Sequence, residues 1–224
     1  MIDWMPFWLS LKLAAMTTAV LFVICLPLAY WLVYGRGSWI SFVEVLVSLP
    51  LVLPPSVIGF YLLLAFNPSH GFGAWLDRHF DIRLAFSFGG LVLGSIIYSL
   101  PFMANALKSG FASLAPGLKE ASYSLGKSPA RTLFKVLLPN MKSSVLTGMV
   151  LTFAHTLGEF GVILMIGGNI PGKTRLASIA IYEEVEMMNY HDANRYALIL
   201  LVASFLLLLG VYRINHRFFR FARP

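Results

Sequence analysis

The stretch KSGFASLAPGLKEASYSLGKSPARTLFKVLLPNMK, from Lys108 to Lys142, is a polar segment that lies between two apolar runs of the chain. It contains six of the 17 lysines and arginines and a single acid, Glu120. Pro116 predicts the start of a helix, because proline suits the first helical position, and Gly126 is placed to end that helix. The segment is therefore expected to be ordered.

A second helix is predicted after the glycine. Ser128 is placed as its N-cap, a proline follows in the first turn, and Pro139 ends the helix before the next apolar run. In the first helix Leu118, Ala121 and Leu125 recur at i, i+3 and i+7, which gives one apolar face. A basic loop that only connects two spans would not need two capped amphipathic helices. The pattern therefore predicts a helix–glycine–helix element with a function of its own.

The rest of the chain is dominated by apolar runs. Of the 224 residues 58% are hydrophobic and 12% are charged, whereas a soluble domain has about 25% charged residues. Five runs approach the roughly 20 residues that cross a bilayer: 8–34, 39–66, 87–107, 143–167 and the shorter 196–212. We therefore predict an all-α integral membrane protein, a single transmembrane domain over residues 1–224 that includes the loop 108–142.

The distribution of lysine and arginine predicts the orientation. With the N-terminus outside, the inner loops hold 11 of these cations and the outer loops hold 5. The inner set includes four C-terminal arginines, the last of them Arg223. This bias predicts an N-out, C-in membrane protein, and it explains the net charge of +7 without nucleic acid. A sixth crossing or a membrane-dipping helix around 177–188 stays open, although three acids there argue against a crossing.

The sequence Glu120-Ala121-Ser122-Tyr123-Ser124-Leu125-Gly126, followed after nine residues by Val136-Leu137-Leu138-Pro139, resembles the EAA motif of ABC importer permeases. Ser122 and Val136 depart mildly from the family pattern. The resemblance implies that the first helix is a coupling helix that seats in a groove of a separate ATP-binding subunit. It also implies that ATP is hydrolysed by that partner, so that this chain has no catalytic site and needs no cofactor. The implied coupling residues are Glu120, Ala121, Gly126, Leu138 and Pro139.

Three further stretches resemble molybdate permeases, whose close relatives carry sulfate and tungstate: LPLVLPPSVIG at 49–59, LGEFG at 157–161 and NIPGKTR at 169–175. A homodimer of permease subunits is expected, because a single five-helix chain cannot enclose a translocation path. The resemblance implies the type I importer fold in the bacterial inner membrane. It further implies two cytoplasmic ATP-binding subunits, and a periplasmic or extracellular oxyanion-binding protein that docks on the outer loops 67–86 and 168–195. His155 stands where an arginine is expected. The choice among the three oxyanions stays open.

Glu159 is an ionisable residue inside a predicted span, which is a functional hypothesis by default. His155 lies four residues earlier, so the two side chains share a helix face and could pair. They could form part of a gate, or a buried pair that holds helices together. The prolines of the second span could let it flex or could be ordinary kinks. The candidate gate or packing residues are His155, Gly158, Glu159, Phe160, Gly161, Pro50, Pro54, Pro55 and Gly59.

Gly167–Thr174 matches the phosphate-binding pattern G-x-x-x-x-G-K-[ST]. That pattern binds nucleotide only between a strand and a helix of an α/β domain, and here it follows a membrane-length helical run. A secondary transporter or channel would need a pathway lined by intramembrane polar groups and often an internal repeat, and few buried charges and no clear repeat are present. The histidines show no metal-ligand spacing, so no metal site is predicted.

Overall fold

The computed structural model describes residues 2–69 and 71–220. Met1, His70 and residues 221–224, with the inner-side cation Arg223, lie outside the described residues. Every regular element within these two ranges is helical, which confirms the all-α prediction. The helices are α1 Met5–Tyr34, α2 Trp39–Ser48, α3 Pro55–Phe66, α4 Gly71–Phe80, α5 Phe88–Ala112, α6 Leu118–Ser124, α7 Pro129–Thr132, α8 Leu138–Asn140, α9 Lys142–Leu157, α10 Gly161–Gly167, α11 Ala177–Glu186 and α12 Tyr190–Arg220.

Local sequence explains several helix ends. Pro6 stands in the first turn of α1, and the helix ends at Gly35, whose N–H donates to the Trp31 carbonyl at 2.7 Å. Ser87 caps α5, because its Oγ accepts from the Gly90 N–H at 3.1 Å. These two hydrogen bonds satisfy backbone groups at helix ends that would otherwise lack a partner.

Three helices of the described chain are long and apolar enough to cross a membrane: Met5–Tyr34, Phe88–Ala112 and Tyr190–Gly210. Two bent helix pairs raise this number to five if each pair is counted as one span. They are Trp39–Leu51 with Pro55–Phe66, bent by 107°, and Pro129–Asn140 with Lys142–Leu157, bent by 81°. The predicted number of five spans is therefore the upper limit of the three to five spans that the described residues allow.

Two predicted spans are interrupted in the structure. The run 39–66 turns sharply between α2 and α3, because consecutive prolines remove backbone donors and the chain passes through a 3₁₀ turn at Leu49–Leu51. The run 143–167 is not one helix: α9 ends at Leu157 and α10 begins at Gly161. The segment 177–188, left open above, holds the ten-residue helix α11, which is too short to cross a bilayer.

The helices pack so that the predicted inner and outer loops meet at opposite ends of the bundle. At the inner end the Tyr34 hydroxyl donates to the Phe111 carbonyl at 3.4 Å, joining the last turns of α1 and α5. At the outer end the Ala177 N–H donates to Ser10 Oγ at 2.9 Å, joining α11 to the start of α1. The grouping of loops agrees with the predicted topology, and the charge distribution says which end faces the cytoplasm.

The core consists of α1, α5 and α9, against which α3, α10, α11 and α12 pack. Its buried apolar side chains form two clusters, one in each half of the bundle. The outer cluster is Leu9, Leu13, Ile58, Phe66, Leu84, Leu91, Val162, Ile163, Ile166, Leu176 and Ile179. The inner cluster is Leu21, Cys25, Leu26, Ala29, Val47, Met103, Ala104, Leu107, Phe111, Leu137 and Met141. Buried polar residues lie along the same helices between the two clusters.

Candidate functional site

Of the predicted segment Lys108–Lys142, residues 108–112 belong to α5, and the helix–glycine–helix element consists of α6 and α7 at the inner end of the bundle. The first helix begins at Leu118, two residues later than the sequence predicted, so Pro116 precedes the helix. Gly117 is its N-cap, with a φ of 85° that disfavours other residues. At the other end Gly126 has a φ of 71°, and its N–H donates to the Tyr123 carbonyl at 2.8 Å. The predicted stop at Gly126 is therefore confirmed.

The second helix starts as predicted and ends differently. Ser128 Oγ accepts from the Arg131 N–H at 3.3 Å, so the predicted N-cap is confirmed. The chain then continues through a widened π-helical turn at Leu133–Leu137 and on to Asn140, so Pro139 does not end the helix. Proline can neither donate a backbone hydrogen bond nor fit a regular turn, and a widened turn before it accommodates both restrictions.

The two helices of this element are joined through buried hydroxyls. Ser122 Oγ and Thr132 Oγ1 lie 2.8 Å apart, and both side chains are buried. Ser122 is the position at which the family pattern has alanine, so this hydrogen bond is a feature of the present sequence. It fixes the angle between α6 and α7.

The predicted apolar face of α6 divides into two parts. Leu118 packs towards the inner cluster, whereas Ala121 is exposed and Leu125 has 76% of its surface exposed. Glu120 is exposed beside them. Ser122, and not Ala121, is the residue that faces inward one turn after Leu118. The outward surface therefore combines one carboxylate with apolar groups, which suits contact with another protein.

The second group of candidate residues lies at the break between α9 and α10, residues 158–160. Glu159 is 4% exposed, and its Oε2 accepts from Ser95 Oγ on α5 at 2.7 Å. Its backbone carbonyl accepts from Ser178 Oγ on α11 at 2.7 Å. Glu159 Oε1 has no hydrogen-bond partner among the described residues. The break is thus held by a core helix on one side and by an outer helix on the other.

The predicted pairing of His155 with Glu159 is wrong. His155 Nδ1 lies 2.9 Å from Ser99 Oγ, and its ring packs against Phe102 with centroids 4.1 Å apart. Glu159 lies beyond the end of α9, so the two side chains do not share a helix face. Each contacts a different serine of α5.

The glycines and prolines of the two broken spans meet each other. Gly161, the first residue of α10, lies against Pro55, the first residue of α3; a Cβ added at Gly161 would be 2.7 Å from Pro55 Cβ. One turn further on, a Cβ added at Gly59 would be 2.7 Å from Met165 Cβ. Gly158 has no such neighbour, since an added Cβ would be 3.8 Å from the nearest carbonyl oxygen.

The other prolines of the second span and Phe160 flank this contact. Pro50 is buried in the 3₁₀ turn, and Pro54 precedes α3 with an extended ψ of 139°. Phe160 packs its ring on Tyr182 of α11, with centroids 5.0 Å apart. The breaks of the two spans therefore form one contact region, which α11 covers.

Sequence reasoning missed the small polar residues that hold this region. Ser95 and Ser99 are four residues apart on α5, and Thr156 lies on α9. All three are buried, and Ser99 Oγ lies 3.0 Å from Thr156 Oγ1. Serine and threonine at helical spacing within apolar spans are the available signal, because such side chains hydrogen-bond across membrane helices.

The sequence that imitates a phosphate-binding loop is closed by its own hydrogen bonds. It follows α10 and not a strand. Thr174 Oγ1 donates to the Gly167 carbonyl at 2.7 Å and accepts from the Ile170 N–H at 3.1 Å. The N–H groups of Lys173 and Arg175 donate to the Ile170 carbonyl. These donors cannot cradle a phosphate while they make the turn.

Ion pairs connect surface elements at both ends. At the inner end Glu44 of α2 binds Lys108 of α5, with Oε1 and Nζ 2.6 Å apart. At the outer end Arg175 binds Glu183 of α11 at 2.9 Å and Asn169 at 2.7 Å. Arg175 and Glu183 belong to the loop that the sequence suggested for docking, and they order that loop around α11.

Comparison with known proteins assigns the family. Residues 25–223 match the family model described as binding-protein-dependent transport system inner membrane component. The molybdenum transport system permease protein ModB of Azotobacter vinelandii is 42% identical over 205 residues, 91% of this chain and 90% of that protein. The sulfate transport system permease protein CysT of Escherichia coli (strain K12) is 31% identical over 195 residues, 87% of this chain and 70% of that protein.

A solved structure supports the fold. A chain of the MetNI methionine ABC transporter, in inward-facing conformations, aligns with a TM-score of 0.73 at 17% identity. The alignment covers 95% of this chain and 94% of that chain. The predicted likeness to molybdate permeases and the predicted type I importer fold are thereby confirmed. The chain belongs to the family of inner membrane components of binding-protein-dependent transport systems and is a multi-pass permease of the inner membrane.

Proposed function

We propose that this chain is the transmembrane subunit of an ATP-driven importer for a tetrahedral oxyanion, with molybdate as the substrate. Two copies form the pathway, two ATP-binding subunits dock on the inner side, and an oxyanion-binding protein docks on the outer loops 67–86 and 168–195. The single transmembrane domain spans residues 1–224. The observation that carries the proposal is the exposed α6–Gly126–α7 element, in a chain that resembles a molybdenum permease over nine-tenths of its length.

The geometry of the coupling element supports docking of an ATP-binding subunit. Glu120, Ala121 and Leu125 are exposed on one small helix at the inner end, and Gly126 lets the chain reverse behind them. Leu138 and Pro139 follow the widened turn and join the element to α9, at a bend of 81°. A push on α6 is thus passed through a short rigid connection to a core helix.

The contact between the two broken spans is the proposed gate. Pro55 against Gly161 and Gly59 against Met165 pack α3 directly on α10. Both helices follow a break in the chain, so they can move relative to α2 and α9, the helices that precede the breaks. Ser178 of α11 holds the backbone of Glu159 within one break, which gives an outer binding protein a route to the gate.

The assignment is tested by reconstitution. The permease is inserted in proteoliposomes with its ATP-binding subunit and its binding protein, and uptake of labelled molybdate, tungstate and sulfate is measured with and without ATP. We expect ATP-dependent uptake of molybdate, and competition by tungstate stronger than by sulfate. Preferential uptake of sulfate would refute the substrate, and uptake that does not need ATP would favour the alternative of a secondary transporter or channel.

Two variants test the residues. Glu120→Lys reverses the charge on the outward surface of α6 and is expected to abolish co-purification with the ATP-binding subunit. Ser178→Ala removes the hydrogen bond to the Glu159 carbonyl, worth about 0.5–1.5 kcal/mol, and should lower the uptake rate while the complex still assembles. Wild-type assembly of the first variant and wild-type uptake by the second would remove these residues from the mechanism.

A further inference from the structure

Lys119, the residue before Glu120 on α6, lies among three tyrosine rings. Its Nζ is 4.3 Å from the ring centroid of Tyr34, 5.1 Å from that of Tyr30 and 5.9 Å from that of Tyr123. An ammonium group within about 6 Å of a ring centroid is attracted to the face of the ring. Three rings therefore bind one cation, and the side chain is partly buried although it stands on a surface helix.

The rings belong to separate elements. Tyr30 and Tyr34 lie in the last turns of α1, whereas Tyr123 lies on α6. The Tyr30 and Tyr123 hydroxyls are 3.4 Å apart, and the Tyr34 hydroxyl donates to the Phe111 carbonyl at the end of α5. The hydrogen bond with Tyr30 raises the pKa of the Tyr123 hydroxyl. Lys119 thus joins α6 to the inner ends of two core helices.

The connection through Lys119 differs from the attachment of α6 through Ser122. The hydrogen bond between Ser122 and Thr132 ties α6 to α7, which lies within the same loop. Tyr30 and Tyr34 lie on α1, which packs along both α5 and α9. A movement of α6 can therefore reach α9 through the loop, and it can reach α1 through Lys119 and through the contact between the Tyr123 and Tyr30 hydroxyls.

The geometry points to Lys119 as a positioning residue that transmits movement of the coupling helix to α1 through its cage of Tyr30, Tyr34 and Tyr123. This inference rests on the proposed function, since it needs an ATP-binding subunit that moves α6. The positive charge of Lys119 is needed for attraction to all three rings at once, and the length of the side chain lets the ammonium group reach α1 from α6. Glu120 would make the contact with the partner, and Lys119 would carry the displacement inward.

The test compares Lys119→Met with Lys119→Arg and with Lys135→Met in the assembled transporter. Methionine keeps the length and loses the charge, arginine keeps a cation that stacks on rings, and Lys135 is an exposed lysine of the same loop. Oxyanion uptake and ATP hydrolysis are measured in proteoliposomes. For Lys119→Met we expect normal co-purification with the ATP-binding subunit and about three- to tenfold less uptake per ATP hydrolysed, the range for loss of one such interaction.

Lys119→Arg and Lys135→Met are expected to keep the wild-type ratio of uptake to hydrolysis. Tyr34→Leu, which removes the ring nearest to the cation, should behave like Lys119→Met. A wild-type ratio in Lys119→Met would overturn the inference, and so would loss of co-purification, since the cage would then only support docking. Failure of the proposed function looks different, because the wild-type protein itself would then show no ATP-dependent oxyanion uptake.

Discussion

Replacement of Gly161 by alanine tests the contact between the two broken spans. The added Cβ would lie 2.7 Å from Pro55 Cβ, about 1 Å closer than two carbon atoms pack at their optimum. The ring of Pro55 cannot rotate away, so α10 or α3 has to move. Overpacking of this kind costs about 1–3 kcal/mol of the free energy of unfolding.

Gly158→Ala is the matched control, three residues earlier in the same LGEFG sequence. Its added Cβ would meet only the Ala154 and His155 carbonyl oxygens, at 3.8 Å and 3.9 Å, which is ordinary contact. Its φ of −93° and ψ of 2° are open to alanine. We expect a change in unfolding free energy within about 0.5 kcal/mol.

The two variants are compared by thermal unfolding of the purified permease and by oxyanion uptake of the assembled transporter. Gly161→Ala should lower the melting temperature by about 2–10 °C and reduce uptake, whereas Gly158→Ala should leave both near wild type. The reasoning fails if the two variants are equally harmful, because their difference depends only on the approach of Pro55. It fails equally if Gly161→Ala is silent in both measurements.

Two further predictions concern the loops at opposite ends. Ser122→Ala leaves the buried Thr132 hydroxyl without its partner and should lower the free energy of unfolding by about 1–3 kcal/mol. The double variant Ser122→Ala with Thr132→Val should be nearly neutral, because neither hydroxyl then remains. Additive losses in thermal unfolding would contradict this. Thr174→Val removes the hydrogen bonds to Gly167 and Ile170 and should lower the melting temperature, whereas Lys173→Ala should leave melting unchanged. The isolated permease is expected not to bind ATP, and saturable ATP binding that Lys173→Ala abolishes would support the phosphate-binding interpretation.

Features that depend on local chemistry were predictable from the sequence. Ser128 and Gly126 mark helix ends because a serine side chain can accept a backbone hydrogen bond and glycine tolerates a positive φ. The long apolar runs predicted the membrane spans, because the free energy of transfer from water to lipid depends on the side chain of each residue. The family resemblance at residues 120–139 likewise depends on residue types and their spacing within one short segment.

Features that depend on distant partners were not predictable. Hydropathy shows that the run 143–167 is apolar. It does not show that the helix is interrupted at Gly158, because the break is stabilised by Ser95 and Ser178 on other helices. Helical spacing placed His155 beside Glu159, but a helix face exists only while the helix continues. The position of Lys119 among the tyrosines was equally unpredictable, because the sequence alone shows this residue only as one of several cations on the inner side.

The sequence by itself determined that this chain is a helical membrane protein with a small amphipathic element on its inner side, because composition, caps and spacing act over a few residues. Only the tertiary structure decided which faces are used. Ser122 turns inward and Leu125 outward, Gly161 lies against Pro55 whereas Gly158 has no close neighbour on another helix, and Lys119 lies among three tyrosine rings. The physical reason is that direction and partner are set by packing between segments far apart in the chain, which no local pattern contains.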